Sequence, residues 1–150
     1  MKKSILKVAV LAMVFGFFIS CSKKKEDTTP TNPKVALIIG SDWKVSKYET
    51  KVNSDPFIDQ YPTIAACTQD DRYVFRSDKS YEYNEGPTKC NAGQPQVIYT
   101  STWSLSADGT KITIDGAEST IELLDDNTLI ISGNYYTNPD INYYRTTFVH

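Results

Sequence analysis

The chain has a single histidine, His150, which is the last residue of the sequence. A single histidine at this position argues against a Cys–His nucleophile pair and against a histidine-containing zinc cluster. The sequence also lacks a Gly-x-Ser-x-Gly motif, a Cys-x-x-Cys motif and a glycine-rich phosphate loop. Because each absence removes one common catalytic apparatus, we expect a protein that is not an enzyme and that needs no cofactor and no metal ion.

Basic residues are scarce in the part of the chain that can form a core. From Ser41 onward, nine Lys and Arg residues stand against sixteen Asp and Glu residues, a formal charge of −7. An acidic surface repels phosphate backbones, which argues against a nucleic-acid partner. Asp70-Asp71 and Asp125-Asp126 lack the spacing of a calcium loop, so we interpret both pairs as residues of turns and strand starts.

Long apolar runs are confined to the first 20 residues. The start, Met-Lys-Lys, is basic, and residues 5–19 are almost entirely apolar. This pattern is typical of a signal peptide, since the run is too short for an ordinary membrane-spanning helix. Residues 18–21, Phe-Ile-Ser-Cys, resemble the lipobox of bacterial lipoproteins, and the resemblance implies that Cys21 is acylated. Acyl chains would bind a membrane with about 0.8 kcal/mol per buried methylene.

The residues after Cys21 are polar and rich in lysine, threonine and proline. Such a composition cannot bury a core and favours a disordered tether. We therefore divide the chain into a signal peptide (1–20), a tether (21–33) and one folded domain (34–150).

Two cysteines, Cys67 and Cys90, remain once Cys21 is assigned to the lipid. Two thiols in an exported domain favour one disulfide. In the chain-entropy model, a loop of this length contributes roughly 3 kcal/mol to stability.

The rest of the sequence alternates between apolar and polar residues, as strands with one buried face do. All ten tyrosines lie in this part of the chain, and aromatic residues favour strands. The pattern predicts eight strands, at 43–47, 72–76, 81–83, 97–105, 111–114, 119–124, 128–132 and 141–149. Asp108-Gly109 and Asp115-Gly116 predict tight hairpins, and residues 55–66 predict a loop with one helical turn.

Short antiparallel connections predict an all-β fold, an eight-stranded up-and-down barrel that hides its strand edges by closing. A two-sheet sandwich is the alternative architecture. It needs long crossover connections, and only two loops in the sequence are long enough.

Several segments together resemble the lipocalin-like lipoproteins of Bacteroidetes. The segments are 40–45, 67–81, 85–86, 89–90 and 102–109, which carry the order Trp, Cys, Asp-Asp-x-Tyr-x-Phe, Cys and Trp-Ser-Leu. The resemblance implies a lipocalin-like barrel with a Cys67–Cys90 bridge. For such a lipoprotein we expect attachment to the outer membrane, on its periplasmic face or at the cell surface.

Large aromatic residues on the predicted strands are the candidate ligand-binding residues. They are Trp43, Tyr73, Phe75, Tyr99 and Trp103. Eight strands leave an interior that is either filled by side chains or able to hold one small ligand. The alternative role of these residues is therefore to fill the core.

Two functions remain open at this point. The first is a monomeric, lipid-anchored binding protein for a small apolar or amphipathic ligand. The second is a non-enzymatic cell-surface module with a solid barrel, which meets a protein or a glycan through outward tyrosines. Adjacent strand residues face opposite ways, so one residue of Tyr135-Tyr136 and one of Tyr143-Tyr144 is expected to point outward.

Overall fold

The computed structural model of the protein describes residues 32–150. The expected signal peptide, Cys21 and all but the last two residues of the expected tether lie outside these residues. Within them, no helix is long and apolar enough to cross a membrane. The elements, in chain order, are α1 (Lys34–Ile39), β1 (Lys44–Val52), β2 (Ile58–Asp59), a 3-10 turn (Tyr61–Thr63), α2 (Ala66–Gln69), β3 (Arg72–Phe75), β4 (Ser80–Asn84), β5 (Val97–Leu105), β6 (Lys111–Ile114), β7 (Ala117–Leu124), β8 (Thr128–Thr137) and β9 (Asp140–Val149).

The strands form one antiparallel sheet in the order β2-β1-β9-β8-β7-β6-β5-β4-β3. The sheet curls into a barrel, which confirms the predicted all-β, up-and-down architecture. Eight of the nine strands correspond to the eight predicted from the sequence. The ninth, β2, has two residues and pairs with β1 through Glu49↔Asp59 and Thr50↔Ile58. A strand of two residues is too short to show an alternating pattern.

The two ends of the curled sheet meet at one point, where Trp43 pairs with Tyr73. The backbone N–H of Trp43 donates to the Tyr73 carbonyl at 3.0 Å, and the N–H of Tyr73 donates to the Trp43 carbonyl at 2.8 Å. Beyond this bridge β1 and β3 are not paired with each other. We call the resulting gap between the two strands the seam.

The hairpin between β6 and β7 follows the turn chemistry of the sequence. Ile114 pairs with Ala117, which leaves Asp115 and Gly116 as a two-residue turn. Their φ angles are 51° and 78°. A turn with two positive φ angles matches the right-handed twist of the strands and favours Asp-Gly. The predicted end of β6 agrees with the structure for this reason, and the predicted bounds of β5 agree as well.

The helix α1 covers one end of the barrel, which we call the closed end. Val35 and Ile38 lie one turn apart on its inner side and are buried. The Lys34 ammonium donates to the Gly109 carbonyl at 2.9 Å, and the Asn32 amide donates to the Ala107 carbonyl at 3.2 Å. These bonds fix α1 to the β5–β6 turn. A helix of six residues is too short for its periodicity to be recognised in the sequence.

The buried core lies directly beneath α1. Its members come from α1, from the residue before β1 and from six of the strands, and they are Val35, Ile38, Trp43, Phe75, Tyr81, Trp103, Ile112, Leu129, Ile131 and Phe148. Trp43 is a fully buried member of this core, and its indole N–H donates to the Ile38 carbonyl at 2.8 Å. Trp43 therefore joins α1, the start of β1 and the edge of β3.

Replacing Trp43 with alanine should lower the free energy of unfolding by about 3–5 kcal/mol, because it leaves a large cavity at this junction. Urea unfolding followed by circular dichroism would measure the change. The control is Tyr136→Ala, since Tyr136 is 75% exposed and its loss should cost less than about 0.5 kcal/mol. Equal costs for the two variants would contradict the central role of Trp43.

Candidate functional site

The end of the barrel opposite α1 has a different lining. We call it the open end. It contains the end of β1, the turn at Asp115-Gly116 and the tip of the β8–β9 hairpin. Directly opposed residues of antiparallel strands share a face, and so do residues two apart on one strand. Starting from the buried Phe148, the register therefore shows which side chains point into the barrel at this end.

Seven of the ten tyrosines occupy inward positions by this register. They are Tyr48, Tyr73, Tyr81, Tyr83, Tyr99, Tyr135 and Tyr144. Tyr136 and Tyr143 occupy outward positions, so one residue of each adjacent pair points outward, as predicted. The inward tyrosines form two groups, one on β3, β4 and β5 and one on β1, β8 and β9.

The first group is centred on Tyr73. Its ring centroid lies 4.8 Å from that of Tyr83, 6.5 Å from that of Tyr81 and 5.2 Å from that of Phe148. Burial and the nearby Asp71 carboxylate raise the pKa of Tyr73 to about 12, although the Tyr83 hydroxyl opposes the shift. Tyr73 is therefore a neutral hydroxyl at neutral pH.

Asp71 lies next to this group and is only 3% exposed. One of its carboxylate oxygens accepts a hydrogen bond from the Tyr83 hydroxyl, and the other accepts from the Gly86 backbone N–H at 3.3 Å. Burial, followed by the hydrogen bond to Asp71, raises the pKa of Tyr83. The interpretation of Asp70-Asp71 as residues of a strand start describes their place in the chain but misses the burial of Asp71.

The second group surrounds Tyr144. The Tyr144 hydroxyl lies 2.8 Å from the hydroxyl of Ser119, which is buried. Burial raises the pKa of Tyr48, and the neighbouring Tyr135 and Tyr144 add to the shift. The Tyr144 ring lies across Gly133, where a Cβ atom would collide with the Tyr144 hydroxyl and ring. Gly133 is thus required for the position of this ring.

A partly open cavity of about 300 Å³ lies between the two groups, beside the seam. Its lining is mainly apolar and consists of Val45, Tyr48, Ile64, Tyr73, Thr146 and Phe148. Five of these residues come from β1, β3 and β9. Ile64 comes from the connection between β2 and β3.

Residues 60–69, which we call the seam segment, lie along the seam. The backbone N–H of Gln60 donates to the Tyr48 carbonyl at 2.7 Å. The Gln69 side-chain amide donates to the carbonyls of Ile64 and Tyr61, at 2.9 and 3.3 Å. These bonds hold the segment as a compact unit with Ile64 over the cavity.

The disulfide ties the seam segment to the open end. Cys67, in α2, is bonded to Cys90 in the β4–β5 connection, and their Cα atoms are 5.0 Å apart. The backbone N–H of Cys90 also donates to the buried carboxylate of Glu85 at 3.1 Å. The pairing agrees with the bridge expected from the sequence, and it fixes one wall of the cavity to the strands β4 and β5.

The five candidate ligand-binding residues are divided between the two ends. Trp43, Phe75 and Trp103 are 0–2% exposed and belong to the core. Tyr99 points inward at the open end and is 42% exposed. Only Tyr73 lines the cavity.

The other lining residues were not among the sequence candidates. Val45, Thr146 and Phe148 follow the same alternation as the candidates, so the sequence shows that they face inward but not which end of the barrel they line. Tyr48 departs from this alternation, because a β-bulge between Val45 and Lys47 shifts the register and turns Tyr48 inward. Ile64 lies in an irregular segment that gives no periodic signal.

A second cleft, of about 330 Å³, lies on the outer face of the sheet. Lys51, Phe57, Glu122 and Tyr143 are among its lining residues. The Lys51 ammonium lies 5.0 Å from the Phe57 ring centre and 4.8 Å from that of Tyr143. This cleft is more open and more polar than the inner cavity.

Comparison with known families agrees with this architecture. The family model described as a lipocalin-like domain matches residues 38–131. The chain therefore belongs to the lipocalin-like domain family. No curated protein matches it.

Replacing Gly133 with alanine should destabilise the domain by about 1–3 kcal/mol, because the new methyl group displaces Tyr144. In a Tyr144→Ala background the same change should cost less than about 1 kcal/mol, since the collision is gone. Urea unfolding of the two single variants and the double variant measures the coupling. Gly93→Ala is the control, because a Cβ there meets nothing closer than 3.5 Å; additive single-variant costs would refute the contact.

Proposed function

We propose that the domain binds a small amphipathic molecule in the inner cavity of the open end. The observation that supports this most directly is the cavity itself, whose mainly apolar lining includes the two tyrosines Tyr48 and Tyr73. Small-molecule sites are concave and mostly apolar, with a few polar groups that orient the ligand, and they occur in the mouths of barrels. The membership in the lipocalin-like family also favours a ligand-binding barrel.

The side chains that fill the closed end of the barrel limit the size of the ligand. The core residues Trp43, Phe75 and Trp103 fill the closed end. The remaining cavity is at the lower end of the ~300–1,000 Å³ range of ligand pockets. The ligand is therefore a small molecule, or the end of a longer chain that extends into solvent.

The alternative function is partner binding by the outer surface. It is favoured by Tyr136, which is 75% exposed, and by the outer cleft with Phe57 and Tyr143. Exposed tyrosines are common in protein and glycan interfaces. The inner cavity remains our first proposal because its walls are apolar and one of them is fixed by a disulfide.

We also propose that the protein is a lipoprotein of the outer membrane, on its periplasmic face or at the cell surface. Support comes from the basic start, the apolar run and the lipobox-like sequence that ends at Cys21. The resemblance to lipoproteins of Bacteroidetes supports the same proposal. In this arrangement the barrel is a monomer held to the membrane by the acylated Cys21.

Replacing Thr146 with phenylalanine should fill the cavity and weaken binding of the neutral dye N-phenyl-1-naphthylamine at least ~10-fold, because the apolar volume is lost. Thr146 is buried and lines the cavity. Fluorescence titration of the full chain carrying Cys21→Ala, in buffer without detergent, measures the affinity.

The matched control for this experiment is Thr147→Phe, because residue 147 lies on the opposite face of the same strand. This variant should bind the dye as the parent does. Circular dichroism checks that both variants are folded. Dye binding that survives Thr146→Phe, or no dye binding by the parent, would reject the inner cavity as the site.

Replacing Cys21 with alanine should abolish incorporation of an alkyne-labelled fatty acid, because the acylated thiol is lost. Ser22→Ala is the control and should retain the label. Labelling of the Cys21→Ala protein would contradict the lipoprotein proposal.

A further inference from the structure

At the open end, the charged side chains that face the inside of the barrel are acidic. In the strands of residues 32–150, the inward positions carry no basic side chain and one acidic side chain, Asp140 at the hairpin tip. Asp71 precedes β3 in the same inward alignment as Tyr73, and it bonds to the inward Tyr83. The basic residues Lys51, Arg72 and Arg145 occupy outward positions.

Several carboxylates at this end lack a basic partner. In the described part of the chain, Asp71, Glu85 and Asp115 take part in no ion pair, and the ion pairs that do form belong to the outer face and to surface turns. Asp71 and Glu85 are 3% and 6% exposed. Lys89 lies in the β4–β5 connection, but its ammonium is bonded to the Gln94 carbonyl at 2.9 Å. Buried carboxylates without a counter-ion make the local potential negative.

Asp115 places a further carboxylate beside the tyrosines. It accepts a hydrogen bond from the inward Ser101 hydroxyl at 2.7 Å. The bonds from Tyr99 and Ser101 lower the pKa of Asp115, so this group is ionised at neutral pH. Asp71 and Asp115 thus lie at the two edges of the tyrosine group on β3, β4 and β5.

The tyrosine rings, like the carboxylates, attract a positively charged group. The face of an aromatic ring is electronegative and attracts an ammonium group, and cages of aromatic rings are a known means of binding quaternary ammonium compounds. A neutral hydroxyl can donate a hydrogen bond to an anion, but it supplies no positive charge to neutralise it. At the inward strand positions of residues 32–150, an anionic headgroup would meet hydroxyls and ring faces but no basic side chain.

We infer that the ligand of the inner cavity is an organic cation, an ammonium compound with an apolar body, whose charge lies among the tyrosines of the open end. The inference deepens the proposed function and rests on it. The apolar body fills the cavity beside Val45, Ile64 and Phe148. The ammonium group then faces the ring of Tyr73 and the carboxylate of Asp71.

The test compares two amphiphiles that differ only in headgroup charge, decyltrimethylammonium and decyl sulfate, below their micellar concentrations. Each displaces N-phenyl-1-naphthylamine from the full chain carrying Cys21→Ala. We expect the cation to displace the dye at a roughly 10-fold lower concentration than the anion, given the strength of cation–π contacts. Equal potency, or a preference for the anion, would overturn the inference.

Variants separate the local charges from the overall acidity of the domain. Asp71→Asn and Asp115→Asn should each reduce the ratio of cation to anion affinity about 3-fold, with the affinity of each variant for the neutral dye measured as its own reference. Asparagine also tolerates the positive φ of residue 115. Asp126→Asn is the matched control, since Asp126 lies in the exposed β7–β8 turn at the closed end. An equal effect of all three variants would assign the preference to net charge and overturn the inference.

Failure of the proposed function gives a different result. If the dye does not bind, or binds equally to the Thr146→Phe variant, the cavity is not a ligand site and the inference falls with it. If the dye binds in the cavity but the two amphiphiles compete equally, the binding function stands and only the cationic character of the ligand is rejected.

Discussion

The closure of the barrel depends on the surroundings of one residue, Trp43. Its backbone makes the bridge to Tyr73 between the two ends of the sheet. Its indole bonds to α1, and its ring is fully buried in the core. Because so much packing converges at the closed end, the sheet does not have to close along its whole length. The seam, the seam segment and the cavity beside it follow from a barrel that is sealed at one end only.

Much of the fold was predictable from the sequence because the signals were local. The alternation in Val97–Leu105 defines β5, and the Asp115-Gly116 turn defines the end of β6 and its connection to β7, both without reference to the rest of the chain. The helix α1 and strand β2 gave no such signal, since six and two residues are too few for a period to appear. They form because neighbouring strands offer an apolar surface or a free edge, which is a property of the tertiary structure.

The candidate site was less predictable than the fold. Alternation shows which residues face inward, but the period is the same at both ends of the barrel. Trp103 and Tyr99 share one face of β5, yet one is core and the other lies at the open end. The distinction depends on where α1 packs and on the seam segment that carries Ile64. The burial of Asp71 likewise depends on Tyr83 and Gly86, which are distant in sequence.

The attachment of α1 also fixes the end of the barrel at which the start of the domain lies. Asn32, where the described residues begin, is bonded to the β5–β6 turn at the closed end. Under our proposal that Cys21 is acylated, the chain that leads to the membrane would leave the domain at that end, with the tyrosine-lined mouth on the far side. In that orientation the protein would sample solutes arriving from the aqueous compartment, rather than extract molecules directly from the bilayer to which it is tied.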